Sequence, residues 1–148
     1  MVVFVTTTCP IANASMPAIA RLGRAVREAG GELLLVHPDP LATAETVEKH
    51  RRERGIEEVS LLDPEHRLVA RLGATVVPEV FVLKRDDRRG WKTRYRGPVD
   101  DLYAGVGRRR RAATTAFAAD AVEQVQAGEA IAVPVRTAYG CAIERMSR

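Results

Sequence analysis

The strongest constraint on the fold is a repeated pairing of a short apolar run with a helix-period segment. Met1 to Thr7 is β-branched and apolar, "ELLLVHP" is a second such run, and "VSLLD" is a third. Each is too short for a helix and reads as a strand, and each is followed by residues with apolar positions at helical spacing. Met16, Ile19, Leu22 and Val26 line one face of the first helix, which Asn13 or Ser15 can cap and which runs to about Ala29 before Gly30-Gly31. Pro17 falls in its first turns. Thr43 to Arg54 is a charged, largely exposed helix, and Pro64 to Leu72 a short one with Leu68, Val69 and Leu72 facing in. "VVPEVFVLKRDDRRGWKTRYRG" reads as two antiparallel strands joined by a polar turn. Ala112 to Ala127 is a final helix, and an extended tail covers 129–148. The order β-α-β-α-β-α-β-β-α calls for a three-layer α/β sandwich with a mixed, mostly parallel sheet covered on both faces.

The 148 residues suit one domain, spanning 1–148, and 46% hydrophobic with 28% charged residues is the balance of a globular chain, not a disordered one. The net charge of +4 comes largely from arginine clusters such as Arg108 to Arg111. No aromatic residues interleave with them as base stacking requires, so nucleic acid is not an expected partner. No apolar stretch reaches the 18 or so residues of a membrane span, and "MVVFV" lacks the basic flank of a signal peptide. The expected location is cytoplasmic for the sequence as given, and periplasmic or exported if the native N-terminus is longer. His37, His50 and His66 are isolated in sequence, so no metal and no cofactor is expected. His37 ends a strand on the same edge as Cys9, yet reads best as a structural histidine.

The chain has two cysteines, Cys9 and Cys141. Cys9 sits where the first strand gives way to the first helix. Unpaired N–H groups and the helix dipole stabilise an anion there, which lowers a thiol pKa from about 8.5 toward 7. Free cysteine is also among the most often buried residues, so a packing role stays open.

"TTTCPIANASMPAIARL" resembles the strand–cysteine–helix opening of the redoxin branch of the thioredoxin-like proteins, the alkyl hydroperoxide reductase/thiol-specific antioxidant group, with Pro17 at the matching spacing. "GATVVPEVFVL" is similar to the segment with a cis-proline facing the active-site cysteine, which makes Pro78 its counterpart. "CPIA" near the front and "TAYGCAI" near the end resemble a poorly characterised bacterial subgroup. The resemblance covers nearly the whole chain and implies a thioredoxin-like sandwich. Several family elements are missing. Ala12 replaces the second cysteine of Cys-x-x-Cys, Asn13 that of the copper chaperones' Cys-x-x-x-Cys, and Val2 the proline of the peroxiredoxin run, although Thr6 matches its threonine.

Together these features lead to a thiol–disulfide redox protein with Cys9 as nucleophile and Cys141 as candidate resolving cysteine, acting on a protein or small-molecule disulfide. The alternatives are a peroxiredoxin-like thiol peroxidase, which needs a cation beside Cys9, and a non-catalytic binding module on the same fold. Cys141 follows Gly140, which permits close backbone approach. If the tail folds back, Cys141 reaches Cys9; otherwise it packs under the last helix, or the pair forms a static disulfide. A cis Val77–Pro78 bond would let the Val77 backbone pair with an extended peptide, and Thr8 could bond a thiolate or substrate. Glu79 reads as a surface carboxylate in preference to a proton acceptor. Tyr95, Arg96, Asp100 and Asp101 are expected to hold the turn into the last helix.

Overall fold

The computed structural model describes residues 1–144. Its elements are β1 (Val2–Phe4), α1 (Pro10–Glu28), β2 (Leu34–His37), α2 (Ala44–Glu53), β3 (Val59–Leu62) and α3 (Arg67–Leu72). After them come β4 (Val76–Val77), β5 (Glu79–Asp86), β6 (Gly90–Gly97), α4 (Phe117–Gln126) and β7 (Cys141–Ala142). Five strands form a mixed sheet in the order β3-β2-β1-β5-β6. The β1–β2 and β2–β3 pairs are parallel, and β1–β5 and β5–β6 antiparallel. β4 and β7 make a separate antiparallel pair.

β1 is central and buried on both faces, as parallel strands between helices must be. Val3, Val5, Val80 and Val82 alternate with Val2, Phe4 and Phe81, and all are in the core. Phe4 and Phe81 meet edge to face with ring centroids 5.7 Å apart. α4 packs over β5 and β6 and touches α1. The aromatic face of β5 carries Arg96, stacked 5.4 Å from the Phe81 ring centroid, and its guanidinium reaches the Gly73 carbonyl that closes α3. Helices therefore cover the sheet on both sides. Among the described residues no helix is long and apolar enough to cross a membrane.

Three of the boundaries that differ from the sequence expectation have a clear physical reason. α1 starts at Pro10, not after Asn13 or Ser15. Cys9 is its N-cap, accepting from the Ala12 N–H, while Pro10 fills a first-turn position where its missing N–H costs nothing. The last helix starts at Phe117, not Ala112. The Asp101 carboxylate accepts from the Thr114 hydroxyl and from the Thr114 and Thr115 N–H groups, which pins those residues outside the helix. These bonds, the Thr114 side chain first, hold the Asp101 carboxyl down at about 2. The run "VVPEV" is not one strand: it divides at Pro78 into β4 and β5.

Candidate functional site

Cys9 follows the turn Thr6–Thr8 that leaves β1. The Cys9 N–H donates to Thr6 Oγ1 at 3.2 Å, and the Ala12 N–H points back at Cys9 Sγ at 3.4 Å. Ala12, three residues after Cys9, thus serves the sulfur with its backbone. Ala12 itself is fully buried. Asn13 braces the same turn, donating from Nδ2 to the Thr7 carbonyl while its Oδ1 lies 2.6 Å from His50 Nε2 on α2.

The tail folds back over this point. Cys9 and Cys141 form a disulfide across 132 residues of sequence, with Cα atoms 6.2 Å apart. β7 pairs antiparallel with β4, Cys141 opposite Val77 and Ala142 opposite Val76. The Ile143 N–H extends the pairing to the Thr75 carbonyl. Gly140 lies so close to Val77 that a Cβ there would fall on the Val77 carbonyl, so only glycine lets the tail seat at this height. Further back, the Arg96 N–H donates to the Pro134 carbonyl and the Arg136 N–H to the Arg96 carbonyl. The Val77–Pro78 peptide bond is cis, and the Val77 carbonyl oxygen lies 3.4 Å from Cys9 Sγ.

A cavity of about 300 Å³ opens beside the disulfide. Thr6, Thr8 and Cys9 line one side, Pro38, Asp39 and Pro40 another, and Cys141 to Glu144 the tail side, with Val77 between. Its charged lining residues are Asp39 and Glu144; among the described residues no arginine, lysine or histidine lines it. The cation that peroxide chemistry calls for is not among these groups. Cys9 is 3% exposed, whereas Cys141 is only half-buried. What covers Cys9 on its open side is the tail and its sulfur.

Of the residues singled out from sequence, Cys9, Cys141, Val77 and Thr8 meet at this one place, Thr8 exposed at the cavity and Val77 buried. The Val77 backbone edge expected to receive a peptide receives the protein's own tail. Pro78 is buried behind it. Glu79 is neither a surface carboxylate nor a proton acceptor for the thiol. It is 2% exposed, and its carboxylate takes the Thr75 N–H at 2.8 Å and Arg96 Nε at 2.6 Å. Burial of this kind requires a paired charge, and Arg96 supplies it. Arg96 therefore ties down the loop into β4 and leaves the turn before the last helix to others. Asp101 holds that turn, and the Tyr95 hydroxyl donates to the Pro98 carbonyl. A glutamate inside the apolar run "VVPEVFVL" was the available sign of a buried pair, but nothing local named its partner.

His37 closes β2 just before the cavity wall at Pro38, yet does not itself line the cavity. It is 1% exposed, and neither ring nitrogen has a hydrogen-bond partner among the described residues. Burial, with His50 adding to it, pushes its pKa down to about 4 despite Asp39. It is a neutral core residue. His66 bonds the Pro38 carbonyl through Nε2 at 2.7 Å and so helps hold the cavity wall. Among the described residues no cluster of side chains could hold a metal ion.

No known family profile matches the chain, and no curated protein is similar enough in sequence to match. Solved structures do match. An uncharacterized conserved protein from Geobacillus kaustophilus superposes with a TM-score of 0.82 at 19% identity, over 99% of this chain and 77% of its own. A hypothetical protein from Sinorhizobium meliloti gives 0.78 at 24% identity, over 96% and 76%. A secreted Mycobacterium tuberculosis disulfide oxidoreductase homologous to E. coli DsbE gives 0.55 at 15% identity, over 82% and 78%. With the sheet order and flanking helices, these likenesses make the fold thioredoxin-like.

Proposed function

We propose that the protein is a thiol–disulfide redox protein in which Cys9 is the nucleophile and Cys141 the resolving cysteine. The observation that carries this reading is the tail: a cysteine 132 residues away is brought onto Cys9 by a strand pair and a close glycine contact. In the reduced protein the Cys9 thiolate, at the cap of α1 with the Ala12 N–H directed at it, attacks one sulfur of a substrate disulfide. The substrate's other half leaves as a thiolate, and a mixed disulfide remains on Cys9. The Cys141 thiolate then attacks Cys9 Sγ, displaces the second half, and leaves the Cys9–Cys141 bond. One substrate disulfide becomes two thiols, and the protein's two thiols become one disulfide.

The substrate is a protein or small-molecule disulfide that reaches Cys9 when β7 is not seated. Val77 and Pro78 would shape the groove, with Thr8 at its mouth. The exchange needs neither metal nor cofactor. The fold shared with a disulfide oxidoreductase supports the reading, as does the placement of a sulfur at a helix N-cap.

The test is the pH dependence of Cys9 alkylation in a Cys141→Ser variant, together with a peptide mass map of the wild type after mild oxidation. An alkylation midpoint of about 7 or below, with Cys9 and Cys141 linked in the map, is the expected result. A slow Cys9 titrating at about 8.5 or above, with no such link, would leave a binding module on a redox fold.

A further inference from the structure

The redox cycle also has a return half, in which an external thiol reopens the Cys9–Cys141 bond. We propose that this thiol is a small molecule that enters through the cavity and attacks Cys141 Sγ, with Cys9 as the leaving group. The proposal rests on the redox reading above and adds to it the point of attack and the class of reductant.

Attack on a disulfide proceeds along the S–S axis, from the side away from the leaving sulfur, so access behind each sulfur decides which is hit. Cys9 is closed in by protein. The residue is 3% exposed, its sulfur faces the Ala12 N–H and the Val77 carbonyl at 3.4 Å each, and Ala12 is fully buried. Both cysteines line the cavity, but Cys141 is half-buried on a two-residue strand and is the more accessible of the two. At about 300 Å³ the cavity is at the lower end of small-ligand sites, room for a thiol of a few heavy atoms. An extended protein segment would need the backbone edge at Val76–Val77, and β7 already holds it.

Leaving-group chemistry points the same way. A thiol of lower pKa leaves faster. Cys9 departs into a helix N-cap with an N–H aimed at its sulfur, whereas Cys141 sits on a two-residue strand with no helix end to receive its charge, and the charged residues lining the shared cavity, Asp39 and Glu144, are both acidic. A thiolate RS⁻ bonds to Cys141 Sγ, the Cys9–Cys141 bond breaks, and Cys9 takes the electron pair as thiolate. A second RS⁻ then attacks the RS sulfur, giving RS–SR and the Cys141 thiolate.

The experiment uses the oxidised full-length chain, with the disulfide first verified by intact mass. It is treated briefly with 2-mercaptoethanol, quenched in acid, alkylated with N-ethylmaleimide and mapped by peptide. The expected product carries mercaptoethanol on Cys141 and the maleimide on Cys9, in about tenfold excess over the reverse pattern. Mercaptoethanol found mainly on Cys9 overturns the proposal and leaves the redox reading standing. A chain that forms no Cys9–Cys141 disulfide overturns both. Should no adduct accumulate, Ala142→Trp decides. Ala142 is exposed and lines the cavity, so a bulky side chain there should slow reduction by 2-mercaptoethanol about tenfold. An unchanged rate overturns the proposal.

Discussion

The two ends of the disulfide are built in opposite ways. Cys9 is set in the core between β1 and a helix of 19 residues, with Ala12 beneath it and Met16 and Ile19 packed one and two turns on. Cys141 rides on a strand of two residues whose partner, β4, is equally short and lies outside the main sheet. Front and tail meet at one covalent bond. The front end supplies a fixed sulfur in a prepared electrostatic setting, and the tail brings the second sulfur by backbone pairing, with Ile131 and Ile143 packed against the core. Changes at the two ends should therefore separate stability from sulfur chemistry.

The largest effect on stability is expected at the support beneath β4. Glu79 is buried, and Arg96 is its cation; Arg96 also holds the Gly73 carbonyl and, through its backbone, the tail at Pro134 and Arg136. Arg96→Met would leave a buried carboxylate unpaired, which costs about 3–5 kcal/mol. Because the Arg96 side chain is 30% exposed, the lower end of that range is expected. Urea denaturation of the reduced protein would measure it. A double variant with Glu79→Gln should recover much of the loss, since the unpaired charge is then gone; failure to recover would mean that packing on Phe81 dominates.

The front end carries an acid-sensitive group. His37 is buried with a pKa of about 4, against 6.5 when unfolded, so between these values the unfolded chain binds more protons than the folded one. Its contribution is complete above pH 6.5 and is lost as the pH falls toward 4, on the order of 3 kcal/mol in all. His37→Leu should flatten that part of the pH–stability curve. It should cost little at neutral pH, because an imidazole without partners is replaced by a side chain that needs none. The same flattening is expected with the disulfide open or closed. A difference between the two states would show that His37 senses the tail, contrary to its place outside the cavity.

The front was far more legible in the sequence than the tail. Apolar runs of the right length reveal β1, β2 and β5, and Thr43 marks the start of α2, where it forms a capping box with Thr46. The helix after Cys9 is legible from its apolar face, but its start is not, because the usual caps are oxygen-bearing side chains and here a sulfur takes that role. Asp101 delays α4 through bonds to residues 13 and 14 positions away, beyond any local pattern. The tail offered less still. Its two-residue strand has no periodicity to read, and the partner of Cys141 depends on how the whole chain closes. Glycine before a cysteine was the one local sign of close approach.

That glycine gives the smallest and most selective prediction. A Cβ at residue 140 would collide with the Val77 carbonyl and crowd Pro78 N at 3.2 Å. Gly140→Ala therefore obliges the tail to lift away from β4, which takes Cys141 out of register with Val77 and away from Cys9. The front end meets this contact only at the Cys9 sulfur, 3.4 Å from the Val77 carbonyl, so the reduced variant should unfold within about 0.5 kcal/mol of wild type, as loosely held positions do. Closure of the Cys9–Cys141 bond on treatment with oxidised glutathione should slow about tenfold, equivalent to about 1.4 kcal/mol in the barrier. Alkylation of Cys9 in the reduced variant should keep its wild-type pH profile, because the Ala12 N–H and the helix end remain in place. Closure at an unchanged rate would mean that β7 pairing does not deliver the second sulfur, and the contrast between a prepared front and a delivered tail would fail at its tail end.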